Sequence, residues 1–145
     1  MERVIREALR LSAPAYISVP MDLAKMPIIG NPVKGVPVSK IKRTHSDPAS
    51  LEAAIDFVMR KIQASKNTIA LPTQFVANYG LIAPLLSFLK KSSIPFATTP
   101  MDKGIISESA QGYLGIYNGM SSSPANLKAL VEDADLVLDI GGVVF

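Results

Sequence analysis

Three short apolar runs, Asn67-Thr-Ile-Ala-Leu71, Ile94-Pro-Phe-Ala97 and Asp135-Leu-Val-Leu-Asp-Ile140, constrain this chain more than any other feature. Each is too short for a helix and reads as a strand, with Ile94–Ala97 a buried one. Between and before them the spacing turns helical. Asp47-Pro48 supplies an N-cap and a proline at the first helical position, and Leu51, Ala54, Ile55, Val58, Met59 and Ile62 then trace one face to about Ala64. A turn at Asn78-Tyr79-Gly80 leads to a helix over Leu81–Lys91, which tolerates Pro84 only in its first turn. Ser123-Pro124 opens a third helix reaching about Asp133, with Ser123 as N-cap. Strands that alternate with helices define an α/β protein built on a parallel sheet.

The flanks suggest a multi-part organisation. Residues 2–11 have helical periodicity, and Ala15–Val19 reads as a short strand closed by Pro20. A helix and a strand with no strand before them look like the tail of an earlier α/β unit. From Met26 to Asp47 the prolines and glycines crowd together, followed by Lys40, Lys42 and Arg43, as in an extended linker. The expected division is therefore a tail at 1–24, a Pro/Gly-rich linker at 25–46 and a main domain at 47–145. Gly141-Gly142 and two valines follow the last strand, where a further helix and strands belong, so the main domain is expected to be truncated at its C-terminus. The open sheet edges this leaves predict self-association by strand addition.

The totals exclude several classes. The chain has 145 residues, enough for one core of ordinary size without staples, and its 48% apolar content is not that of a disordered segment. With no cysteine there are no disulfides, thiolate metal sites or thiol nucleophiles, which fits a cytoplasmic protein. A net charge of +3 is too small to mark a nucleic-acid binder. The longest apolar run, Leu81–Leu89, is too short to span a membrane and carries Pro84 and Ser87, and the Met-Glu-Arg start does not read as a signal peptide.

The best candidate site is the loop after the second strand. Thr98, Thr99, Lys103 and Gly104 put hydroxyls, a positive charge and free backbone N–H groups at a strand's carboxyl end, where open α/β sheets bind ligands. They could hold a phosphate or a carboxylate; alternatively, Lys103 meets an acid of a neighbouring domain. Gly141 after the last strand could join such a site or serve tight chain reversal alone, since neither G-x-G-x-x-G nor the P-loop pattern is present. His45, the only histidine, and the Lys40-Ile-Lys-Arg43 cluster lie in the linker and read as solvated. Asp133, Asp135 and Asp139 match no calcium loop and read as surface charges or partner contacts.

The block Ala97-Thr-Thr-Pro-Met-Asp-Lys-Gly104, with Glu108 and Tyr113-Leu-Gly-Ile-Tyr-Asn-Gly119, resembles the central domain of thiamine-diphosphate-dependent 2-oxo acid decarboxylases, the pyruvate and indolepyruvate decarboxylase group. Val131–Gly141 supports the resemblance, and Ala13–Ala24 looks like the strand closing that family's pyrimidine-binding domain. Lys103-Gly104 favours this branch over acetolactate synthases. Ala110-Gln111 departs from the His-Pro of many relatives, and the cysteine some relatives use for substrate activation has no counterpart. The resemblance implies a three-layer, Rossmann-like parallel sheet that scaffolds the pyrimidine- and diphosphate-binding domains within a homo-oligomer. It implies that the parent enzyme uses thiamine diphosphate and Mg²⁺ to convert a 2-oxo acid to an aldehyde and CO₂. The Gly-Asp-Gly…Asn segment that holds Mg²⁺ and diphosphate in the family is absent here, and paired histidines cannot exist in a chain with one. The expectation is that this chain alone is inactive and binds no thiamine diphosphate. The alternative is a nucleotide module, since relatives hold FAD or ADP across the same strand ends.

Overall fold

The structure is a computed structural model that describes residues 2–11, 13–27 and 45–142. Contacts divide the chain into two units, Met1–Leu51 and Glu52–Phe145. The first contains helix α1 (Glu2–Leu11), whose Arg10 pairs with Glu7 at 2.8 Å, and a 3-10 turn at Leu23–Lys25. The strand expected at Ala15–Val19 is not formed: these residues are exposed, and no described strand lies beside them to complete a ladder. Most of the expected linker, including the Lys40–Arg43 cluster, lies outside the described residues; His45 is exposed.

Helix α2 (Pro48–Ala64) starts where the sequence indicates. The Asp47 carboxylate accepts the Ser50 N–H at 2.9 Å and the Ser50 hydroxyl at 2.9 Å, and Pro48 occupies the first helical position. These bonds to Ser50 hold the Asp47 carboxyl below the usual carboxylate range. Then follow β1 (Thr68–Pro72), α3 (Gln74–Asn78), α4 (Ile82–Ser92), β2 (Phe96–Thr98), β3 (Tyr113–Ile116), α5 (Leu127–Glu132) and β4 (Leu136–Ile140). The four strands form one parallel sheet in the order β3-β2-β1-β4.

Helices pack on both faces of the sheet, which is why β1 and β2 read as apolar runs, whereas β4 alternates, with Val137 and Asp139 exposed. On one face Ala70 and Phe96 pack with Leu85 and Leu89 of α4, joined by Leu138, Ile140 and Ile62. On the other, Ile69 and Ala97 pack with Leu127 and Val131 of α5. This is the three-layer α/β arrangement the sequence implies. Pro72 sits in a central strand, but at its last residue; the ladder resumes at once, with the Thr73 N–H donating to the Ile140 carbonyl at 3.0 Å.

Three elements differ from the sequence reading. Residues 74–78 form the short helix α3 and Tyr113–Ile116 form a strand, two elements the sequence reading did not include. Gly115 makes that strand possible: it sits at φ +133°, and a Cβ there would lie 2.1 Å from the Ser123 carbonyl oxygen. Ser123 in turn is not an N-cap. It forms an antiparallel bridge to Ile116, the Ser123-Pro124 bond is cis, and α5 begins only at Leu127.

Asp135 is also more than a surface charge. It accepts the Lys66 N–H at 2.8 Å, the Asn67 N–H at 2.9 Å and the Ser65 hydroxyl, so it clasps the start of β1 to the start of β4. Those donors stabilise the anion and lower its pKa to about 2.

Candidate functional site at the strand ends

The chain builds β1, β2 and β3 outward in one direction and then returns to place β4 on the other side of β1. The reversal leaves a crevice between the carboxyl ends of β1 and β4, the position where ligands lie in open α/β sheets. Phe75, Val76, Tyr79, Leu81, Ile140 and Gly141 line an apolar hollow of about 400 Å³ there. Gly141 has φ +83°, and a Cβ on it would come within 2.9 Å of Thr73 Oγ1. The Thr73 hydroxyl donates to the Gly141 carbonyl at 2.8 Å, so the two strand ends are tied across the crevice.

Next to it, β2 delivers Thr98 and Thr99. Thr98 is buried; its hydroxyl lies 3.2 Å from the Tyr113 hydroxyl, and its carbonyl accepts the Tyr117 N–H at 2.8 Å. Thr99 precedes a 3-10 turn, Pro100–Asp102, and its hydroxyl donates to Asp102 Oδ2 at 2.5 Å. Asp102 is buried, and its Oδ1 accepts the Gln74 N–H at 2.7 Å. One carboxylate therefore fastens the loop after β2 to the turn after β1. Lys103 is exposed and lies 3.8 Å from Glu108 of the same chain; Gly104 is exposed at φ +86° with open space around it. An ion pair this exposed contributes on the order of 0–1 kcal/mol.

The sequence-derived residues thus fall into separate places. Gly141 lies on the crevice. Thr98 and Thr99 are spent on internal hydrogen bonds, and Lys103 has a partner within its own loop. Sequence reasoning missed Asp102 and Thr73. The signal for Asp102 was present: Thr99-x-x-Asp102 around a proline is the spacing at which a hydroxyl and a carboxylate close a turn on each other. Thr73 carried no such signal. Tyr117, at the end of β3, donates to Glu132 at 3.2 Å; burial first and the Glu132 charge second raise its pKa above the usual tyrosine value.

These groups do not fit a thiamine diphosphate–Mg²⁺ pair. Among the described residues no three His, Cys, Asp or Glu side chains converge on one point, and the buried carboxylate nearest the crevice already has two donors.

A parallel sheet with helices on both faces and a crevice at the strand switch defines the doubly wound α/β class. Within it, residues 55–144 match the sequence profile of the thiamine pyrophosphate enzyme central domain, and the chain belongs to that family. It is 28% identical to a pyruvate decarboxylase of Aspergillus terreus over 143 residues, 28% identical to pyruvate decarboxylase isozyme 3 of Saccharomyces cerevisiae over 144, and 30% identical to a pyruvate decarboxylase of Candida albicans over 146. Each alignment covers 99% of this chain and 25% of the relative, so the chain spans a quarter of the length of these curated relatives.

Proposed function

We infer that this chain is the central, non-catalytic slab of a thiamine-diphosphate-dependent 2-oxo acid decarboxylase. It holds the pyrimidine- and diphosphate-binding domains of its parent at a fixed separation and contributes to subunit contacts in a cytoplasmic homo-oligomer. The parent converts a 2-oxo acid such as pyruvate or indolepyruvate to an aldehyde and CO₂, with thiamine diphosphate and Mg²⁺ held by those other domains. Residues 1–24 are the tail of the pyrimidine-binding domain, 25–46 the linker and 47–145 the central domain. The observation that carries the reading is the use made of the strand-end polar groups. In a family whose relatives named here are called pyruvate decarboxylases, the Thr99 hydroxyl and the Gln74 N–H both donate to Asp102 and so brace the sheet. The test is calorimetry with thiamine diphosphate and Mg²⁺ together with an assay for CO₂ release from pyruvate. The expected result is neither saturable micromolar binding nor turnover; either one would overturn the scaffold reading.

A second reading rests on the apolar hollow beside Gly141, which has room for a planar ring at the strand switch. In it the chain is a nucleotide module for FAD or ADP, with Thr98, Thr99, Lys103, Gly104 and Gly141 as its contacts. Titration with FAD and ADP separates the two: no binding at millimolar ligand leaves the scaffold, whereas saturation that is weakened by Tyr79→Ala supports the module.

A further inference from the structure

At the amino ends of β2 and β3, the opposite end of the strands from the crevice, lies a smaller hollow of about 110 Å³. Buried Leu89 and Ile94 line it together with exposed Lys90, Ser93, Gln111 and Gly112. Two separate stretches of chain meet there. The Phe96 N–H donates to the Gly112 carbonyl at 2.9 Å, and this bond holds Gln111 beside the turn from α4 into β2.

The polar groups around the hollow are donors. Lys90 supplies an ammonium, Ser93 a hydroxyl and Gln111 a primary amide. None of these three side chains makes a hydrogen bond or an ion pair among the described residues. The local charge suits an anion. α4 ends here, and its free carbonyls amount to about half a negative charge. Lys90 and Lys91 in its last turn outweigh that, so the helix end is left cationic.

The backbone points the same way. Ser93 closes α4 at φ +56° and is the one non-glycine residue at positive φ among the described residues. Glycine ends a helix in this conformation without strain, and serine does not. The fold thus keeps a strained residue at the position that brings a hydroxyl to the hollow. Gln111 is likewise no requirement of the fold: it stands where many relatives have the proline of His-Pro, a residue without a side-chain donor.

We propose that this hollow binds a small oxyanion, phosphate or a carboxylate of two or three carbons. Its volume is that of roughly four waters, which such a group fills. The Lys90 ammonium balances the charge, and the Ser93 hydroxyl and the Gln111 amide donate to the oxygens. The site is separate from the strand-end crevice and shares no residue with it.

The test is titration of the isotope-labelled 145-residue chain with sodium phosphate, and separately with sodium acetate, against sodium chloride at matched ionic strength, read by two-dimensional NMR. Saturable shifts at millimolar ligand are expected in the amides of Lys90, Ser93, Gln111 and Gly112; the anion that binds tighter tells whether the site is shaped for a tetrahedral or a planar group. Lys90→Gln and Gln111→Leu are each expected to weaken binding about fivefold or more. Ser93→Gly separates strain from recognition: it is expected to raise the melting temperature and yet to weaken binding about threefold or more. Should Gln111→Leu fail to fold, Lys90→Gln on the exposed last turn of α4 makes the same comparison. The proposal is overturned by shifts that chloride reproduces, by shifts that do not saturate, or by oxyanion affinity that is undiminished in Lys90→Gln and Ser93→Gly.

Discussion

The Asp102 carboxylate accepts the backbone N–H of Gln74, 28 residues earlier in the chain, at 2.7 Å. The contact joins the loops after two neighbouring strands, and Thr99 completes it from the other carboxylate oxygen. Removing the acid strands a backbone donor and a hydroxyl in a half-buried place. Asp102→Ala is expected to cost about 1–3 kcal/mol in urea unfolding, and Asp102→Asn distinctly less because one acceptor oxygen remains. Equal losses in the two variants would contradict this account.

Asp135 sets an acid limit. Its folded pKa of about 2 lies below the ordinary aspartate value of 3.8, so folding favours the ionised carboxylate. Its contribution is fully present above the unfolded value and is lost as pH falls from about 4 through about 2. Thermal melts between pH 5 and 2 should show a decline in that window, and Asp135→Asn should have a shallower one because it has no proton to take up there.

Gly115 should be intolerant where Gly119 is not. A side chain at residue 115 meets the Ser123 carbonyl and the Pro124 ring, at φ +133°, whereas Gly119 faces open space at φ +51°. Gly115→Ala is expected to destabilise by roughly 2–4 kcal/mol and to detach the 116–123 bridge, and Gly119→Ala by about 1 kcal/mol. Chemical denaturation of both variants measures the difference.

The Phe96 ring is fully buried at the centre of one face and lies 5.5 Å from the Tyr113 ring, centroid to centroid. Phe96→Ala is expected to cost about 3–5 kcal/mol, and Phe96→Leu much less. Similar losses for the two would mean that the site collapses around the missing ring.

What the sequence made legible follows from what each element depends on. Asp47-Pro48, the α2 face, Pro84 in the first turn of α4 and the apolar runs of β1, β2 and β4 are local patterns, and the structure has them within a residue or two. Tyr113–Ile116 was not legible because its pairing with β2 depends on Gly115 meeting Ser123, a contact no local pattern encodes. Ser123-Pro124 misled because Ser-Pro opens helices as readily as it ends a bridge. Ala15–Val19 had strand composition but no neighbouring strand among the described residues. At the candidate site, the hydroxyls and the lysine were legible as chemistry, but their partners, Asp102, Tyr113 and Glu108, were not. Those partners decide that the groups hold the loop together.

The position of β4 beside β1 also dictates an order of events at the ribosome. Among the described strands, β1 waits for β4: Thr68–Pro72 gains its second neighbour only after Leu136–Ile140 has left the exit tunnel. Until then a nascent chain displays one bare flank of its central strand, and residues 73–135 must already have turned back on themselves for the late arrival to dock.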